Sequence, residues 1–266
     1  MGILLSIVVA YALVVVAAAL LQRRLIYFPT VLAPAVAERV AADKGLVAWR
    51  NKEGQIIGWK LRSHGNRTAN VLIVHGNAGS ATDRDYFARP IHDAAAVDVY
   101  ILEYPGYGVR AGSPSMKSFL AAGDEALNHL PANEPVYIIG ESLGSGVATH
   151  LALTQPNRVA GLALFMPYDN LVSVAKSSMP FLPVSLVLRE RFTPDTWLAQ
   201  YRGPLKVVLA GADEVIPARF GQRLYDGYAG PKDLLVVPGA RHNDVAGQSA
   251  EWWKSVFSFW ERNKRS

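Results

Sequence analysis

Hydrophobic and polar positions change rhythm sharply near the start of the chain. From Ile3 to Leu21 no charge interrupts an apolar run whose one strongly polar residue is Ser6. A helix over this run would rise about 28 Å, close to the roughly 30 Å hydrocarbon layer of a bilayer. The pattern predicts a transmembrane anchor over residues 1–24, closed by Arg23 and Arg24 and followed by Tyr27 and Phe28 as interfacial aromatics. A cleaved signal peptide is the alternative, with Ala17 to Ala19 as its small residues. Against it, "MGI" brings no basic side chain before the run, and apolar residues continue past the alanines. "MGILLS" also fits the loose N-myristoylation pattern, which in so apolar a run we read as coincidence. Residues 25–44 read as a connector with one short helix.

After residue 45 the period shortens. "GLVAW" and "QIIGWKL" predict a hairpin around Asn51 to Gly54. Short apolar runs then alternate with turn residues and longer helical stretches: "NVLIVHGNAG", "VDVYILEYPGYG", "PVYIIGESLG", "VAGLALFMPYD", "PLKVVLAGAD" and "DLLVVPGARH". This alternation predicts an α/β fold over 45–266, with a mainly parallel central sheet and helices on both faces. Chemistry in such sheets gathers at the carboxyl ends of the strands. "EWWKSVFSFWER" places Trp252, Val256, Phe257 and Trp260 at helical spacing and predicts a core-covering final helix.

Composition narrows the function classes. Half of the 266 residues are hydrophobic, enough for a sizeable core in one domain. With no cysteine there is no thiolate metal site, no disulfide and no cysteine nucleophile. The net charge of +5 is scattered and carries no nucleic-acid-binding signature, so we expect a basic surface facing anionic lipid rather than nucleic acid. The positive-inside rule, resting on Arg23 and Arg24, then puts the body of a single-pass membrane protein in the cytoplasm.

The candidate chemistry lies on the turns. Gly140, Ser142 and Gly144 form G-x-S-x-G between the strand "PVYII" and a following helix. A serine on so sharp a turn needs small neighbours if strand and helix are to approach. The overlapping "GSGVAT" resembles a truncated dinucleotide fingerprint, but Thr149 stands where its third small residue belongs, so no nucleotide cofactor is expected. A serine hydroxyl needs a base, and an imidazole serving as base needs a carboxylate to hold its tautomer. His242 follows the last predicted strand and Asp213 the one before it, and we assign them these roles. Asp169 in "MPYDN" is the alternative acid, less favoured because its loop does not flank the histidine strand. Glu214 is read as a solvated loop carboxylate and Asp244 as a local hydrogen-bond acceptor. "VHGNAGS" supplies an H-G turn whose Asn77 or Ala78 amide could join that of Leu143 as oxyanion donors. His75 is read as a structural pin for that turn. His64, His92, His129 and His150 fall away from these groups, and no metal-ligand cluster emerges.

Taken together, "HGNAGS", "EYPGYGVRAGSPS", "GESLGSG", "GADEVIP" and "GARHND", with "LIYFPT" after the anchor, resemble the α/β-hydrolase superfamily from about Gly45 to Trp260. More narrowly, the chain is similar to membrane-anchored serine hydrolases of the prolyl-oligopeptidase and dienelactone-hydrolase-like branch. Arg241 and "GVRAG" depart from that pattern without removing a catalytic group. The resemblance implies an α/β-hydrolase fold and hydrolysis of an ester, thioester or amide through an acyl-serine. It implies a small-molecule or lipid-like acyl substrate, such as a lysolipid or an acylated protein. It also implies a small cap around 167–200, where "SSMPFLPVSLVL" could receive acyl chains or merely pack over the sheet. A catalytically silent scaffold on the same fold is the competing reading.

Overall fold

The computed structural model describes residues 2–63, 65 and 67–264, so His64 lies outside the described residues. Helix α1 (Gly2–Ile26) runs past residue 24, and its apolar stretch is long enough to cross a membrane and is exposed. After it come β1 (Phe28–Pro29), α2 (Pro34–Asp43), and the hairpin β2 (Val47–Arg50) and β3 (Ile56–Leu61). The next elements are β4 (Ala69–Val74), β5 (Ala78–Gly79), α3 (Asp85–Ala94), β6 (Val97–Leu102) and α4 (Met116–His129). Then follow β7 (Val136–Glu141), α5 (Gly144–Thr154), β8 (Val159–Phe165), α6 (Leu171–Ser178), α7 (Val184–Val187) and α8 (Pro194–Leu198). The chain closes with β9 (Leu205–Ala210), α9 (Arg219–Gly227), β10 (Lys232–Val237) and α10 (Ala250–Asn263).

Eight strands form one sheet in the order β10-β9-β8-β7-β4-β6-β3-β2. All neighbours are parallel except β2/β3 and β3/β6, so the amino-terminal edge alone is antiparallel. β4, β6 and β7 are buried along their whole lengths, which is why they read as nearly continuous apolar runs, interrupted only near their ends by Asn70, Asp98 and Glu141, rather than as alternating ones. Their side chains still alternate between two cores. Leu72, Val74, Ile138 and Leu164 face α4, α5 and α9 residues such as Phe119, Val147 and Phe220. Val71, Ile73, Ile139 and Phe165 face α2, α3 and α10. The final helix buries Trp253, Val256 and Trp260, whereas Trp252 and Phe257 are half-buried beside them. The expected stripe was thus set one residue off at its start, because adjacent tryptophans leave the helical phase ambiguous.

The segment between β8 and β9 divides into two parts. Phe192 and Leu198 are buried in the main core, so its second half is packing. In its first half Val174 still packs in that core, but the stretch beside α1 leaves Phe181 at 64% and Leu186 at 83% exposure.

Candidate active site

The β7 ladder continues one step past the strand, where the Ser142 amide donates to the Phe165 carbonyl at 2.8 Å. The chain then reverses. Ser142 takes φ = +51°, a left-handed conformation costly for a residue with a Cβ and characteristic of a serine held on a sharp turn. The surrounding glycines have steric reasons. A Cβ on Gly144 would stand 2.1 Å from the Val74 carbonyl oxygen, and one on Gly140 would stand 2.9 Å from Ala148 Cβ. Helix α5 can therefore start directly beneath Ser142 only with glycine at these places.

Two further loops at the carboxyl end of the sheet bring in the other groups. His242 Nε2 lies 3.1 Å from Ser142 Oγ, and His242 Nδ1 lies 2.7 Å from Asp213 Oδ2. The other Asp213 oxygen accepts the amides of Val215 and Ile216 at 2.9 and 2.7 Å. A carboxylate so surrounded can only accept, so the Nδ1 proton points at Asp213 and leaves Nε2 free to accept from the serine hydroxyl. All three residues are buried, although the His242 side chain keeps 11% of its surface exposed. Asp169 is occupied elsewhere, with one carboxylate oxygen 2.6 Å from Arg223 Nη2 and the other accepting the Asn170 amide. Asp244 accepts the Arg241 amide at 2.8 Å, a local loop contact, while Glu214 and Arg241 are exposed.

Ser142, Leu143 and Asn77 line one cavity of about 310 Å³, while Ala78 lies in a separate depression with Arg84 and Tyr86. The first cavity is walled mainly by aliphatic side chains from the first half of the β8–β9 segment, by Val215 and Ile216, and by α1. The Asn77 turn is held from several sides. Its carbonyl accepts the Phe28 amide at 2.8 Å and the Tyr107 hydroxyl at 2.6 Å, and its side-chain amide donates to the Ile26 carbonyl at 2.7 Å. His75 is fully buried, with Nδ1 2.9 Å from the Gly76 carbonyl oxygen and its ring centroid 4.4 Å from that of Tyr104. His92, His129 and His150 lie on α3, α4 and α5, and His150 Nε2 faces Asp124 at 3.1 Å. Among the described residues no group of His, Asp and Glu forms a metal-binding cluster.

Sequence reasoning missed what lies behind the serine. Glu141 accepts from Arg84 Nε at 3.0 Å, from the Tyr86 hydroxyl at 2.6 Å and from the Gly76 amide at 3.1 Å. Burial by itself would raise the Glu141 carboxyl; the Arg84 charge and these hydrogen bonds outweigh it and hold the group below the ordinary glutamate range. The signal was present in "IIGES", an acid closing an apolar strand. Nothing local pointed to Arg84.

A sequence profile described as alpha/beta hydrolase fold matches residues 69–191. An uncharacterised protein of Mycobacterium tuberculosis is 33% identical over 230 residues, covering 84% of this chain and 81% of its own length. The chain belongs to the α/β-hydrolase family. A second relative, the lysophosphatidylserine lipase ABHD12 of Mus musculus, is 28% identical over 204 residues, covering 68% of this chain and 50% of its own. Among solved structures, Est1E from Butyrivibrio proteoclasticus superposes with a TM-score of 0.66 at 14% identity, over 82% of this chain and 100% of that one. The Pyrococcus furiosus esterase Pf2001 gives a TM-score of 0.65 at 17% identity, over 90% and 99%. At these identities the two structures speak to the fold alone.

Proposed function

We propose that this α/β-hydrolase is a membrane-anchored serine hydrolase that cleaves carboxylic esters or thioesters of lipid-like acyl chains. The observation that carries the reading is the contact of His242 Nε2 with Ser142 Oγ at 3.1 Å, at the floor of an aliphatic cavity. In the proposed reaction Ser142 Oγ attacks the acyl carbonyl carbon as its proton passes to His242 Nε2. Asp213 stabilises the imidazolium through Nδ1. The carbonyl electron pair moves onto oxygen, where the backbone amides of Leu143 and of Asn77, rather than Ala78, are the donors we assign from the cavity lining. Collapse expels the alcohol or thiol, which takes the proton from His242. Water then attacks the acyl-serine with His242 again as base, releasing the acid and restoring Ser142.

The lysolipid-lipase relative and the aliphatic lining both support an acyl substrate with a polar leaving group. We place the chain on the membrane-anchored branch of the family named above, with α1 as an uncleaved single-pass anchor. Arg23 and Arg24 at its inner end support, by the positive-inside rule, our assignment of the catalytic body to the cytoplasmic side. The test is a fluorophosphonate probe on the full chain in detergent or nanodiscs. Labelling that disappears in Ser142→Ala is expected. An unlabelled wild type, or labelling that survives the substitution, defeats the proposal.

A further inference from the structure

We infer that α1 is itself a wall of the acyl-chain site, and that the cavity opens sideways between α1 and the cap so that the chain enters from the leaflet holding the anchor. The inference rests on the serine-hydrolase reading above for the identity of the occupant.

The cavity that reaches Ser142 is lined on one side by Ala18, Gln22, Leu25 and Ile26, all from the helix long enough to span a bilayer. The positions Val15, Ala18, Ala19, Gln22 and Ile26 are the covered stripe of an otherwise exposed α1, spaced as one helical face. A tether whose only task is attachment needs no such face and no fixed pose.

This helix has a fixed pose. The Gln22 side-chain amide donates to the Val187 carbonyl at 3.2 Å, and its carbonyl oxygen accepts the Arg189 amide at 2.7 Å. Glu190, almost fully buried, takes Arg23 Nε at 2.8 Å, the Tyr27 hydroxyl at 2.6 Å and the Met116 amide. These contacts clamp the inner end of α1 to the cap and to the start of α4.

The depth of the cap follows from a second contact. Tyr11 donates its hydroxyl to the Phe181 carbonyl at 2.9 Å. Tyr11 lies about 16 Å further along α1 than Gln22, well inside the apolar run. In hydrocarbon a hydroxyl would have no water to bond, and the cap backbone supplies this one with an acceptor. The cap tip must then lie within the hydrocarbon too. Its surface agrees, because Phe181 and Leu186 are among the most exposed large apolar side chains outside α1. They are poor residues to present to water and suitable ones to present to lipid.

Two measurements on the full chain in phosphatidylcholine nanodiscs test this. The chain contains no cysteine, so a nitroxide at Phe181→Cys reports that position alone. We expect collisions with oxygen to dominate over those with a water-soluble nickel chelate, whereas a nitroxide at Asp93→Cys, at an exposed position of α3, shows the reverse. In parallel, kcat/KM is measured for p-nitrophenyl esters from butyrate to palmitate. Wild type should gain up to about fourfold per methylene until the cavity fills. Ala18→Trp should cut the long-to-short ratio by about an order of magnitude or more, with the milder Ala18→Leu shifting it in the same direction. Leu20→Trp, on the outward face, should leave the ratio unchanged. An aqueous Phe181→Cys nitroxide, or Ala18 variants indistinguishable from Leu20→Trp, overturns the inference while esterase activity stands. A wild type with neither esterase activity nor fluorophosphonate labelling fails the hydrolase reading and removes the acyl occupant with it.

Discussion

Glu141 and Arg84 form a buried ion pair at 3.0 Å directly behind the serine turn, and each also grips the loop that carries Asn77. Glu141 takes the Gly76 amide, while Arg84 donates to the carbonyls of Ala78 at 2.8 Å and Ser80 at 3.1 Å. The turn bearing Ser142 and the turn bearing Asn77 are thereby tied to one charge pair. Removing one partner of such a pair leaves the other uncompensated, at a cost of about 3–5 kcal/mol. Glu141→Ala should lower the thermal midpoint accordingly and reduce kcat more than it raises KM, which a comparison of melting curves with steady-state kinetics will decide.

The same pair gives acid sensitivity a definite sign. The Glu141 carboxyl titrates lower in the folded chain than in the unfolded one. Its contribution to stability is therefore complete above the unfolded value, near pH 4.3, and is lost as pH falls through the folded value. Denaturant titrations from about pH 6 downward should show Glu141→Gln with a flatter loss of stability than wild type. A parallel decline would assign the acid lability to other carboxylates.

Asp213 and Asp169 are separable by kinetics. Asp213→Asn should keep the fold and drop kcat by up to about four orders of magnitude, because the imidazole would then take the wrong tautomer. Asp169→Asn weakens a pair whose Arg223 side chain is 48% exposed, so its cost should stay below about 1 kcal/mol with turnover near that of wild type. The reverse ranking in kcat would reassign the acid.

The turn beneath Ser142 has no room for a methyl group. Gly144→Ala sets a Cβ 2.1 Å from a backbone carbonyl oxygen that cannot swing aside, and should yield insoluble or unfolded protein. Gly227→Ala, where an added Cβ meets nothing within 4 Å, should change stability by no more than about 0.5–1 kcal/mol. Soluble expression and thermal unfolding of the two variants provide the comparison.

At the clamp on α1, burial rather than charge should dominate. Arg23 is 59% exposed on its side chain, so Arg23→Ala should cost less than about 1 kcal/mol. Glu190→Ala strands the Tyr27 hydroxyl and the Met116 amide, and should cost about 2–4 kcal/mol. Equal effects in thermal unfolding would mean that the surface ion pair, not the buried acceptor, holds the helix.

Much of the molecule was legible in its pattern. The apolar runs ending in turn residues marked the parallel strands, and the apolar stretch from Ile3 marked α1, because both signals depend on periodicity within a few residues. Ser142, Asp213 and His242 could be picked out as candidates because each follows a strand and has the acid–base chemistry the others would need.

The pairing of those residues is of another kind. Asp213 faces His242 while Asp169 turns to Arg223, although both acids follow a strand. The choice depends on which loop lies next to which once β8, β9 and β10 are side by side. Neither Glu141, closing an apolar strand, nor Glu190, set between Arg189 and Arg191, showed its partners until folding brought Arg84, Tyr27 and Met116 to them across long stretches of chain. Local propensity and spacing thus determined which elements form and which chemical groups stand at their ends. Only the packing of distant segments decided which groups meet, and that α1 lines the cavity at Ser142, because side-chain direction and long-range burial are properties of the assembled core.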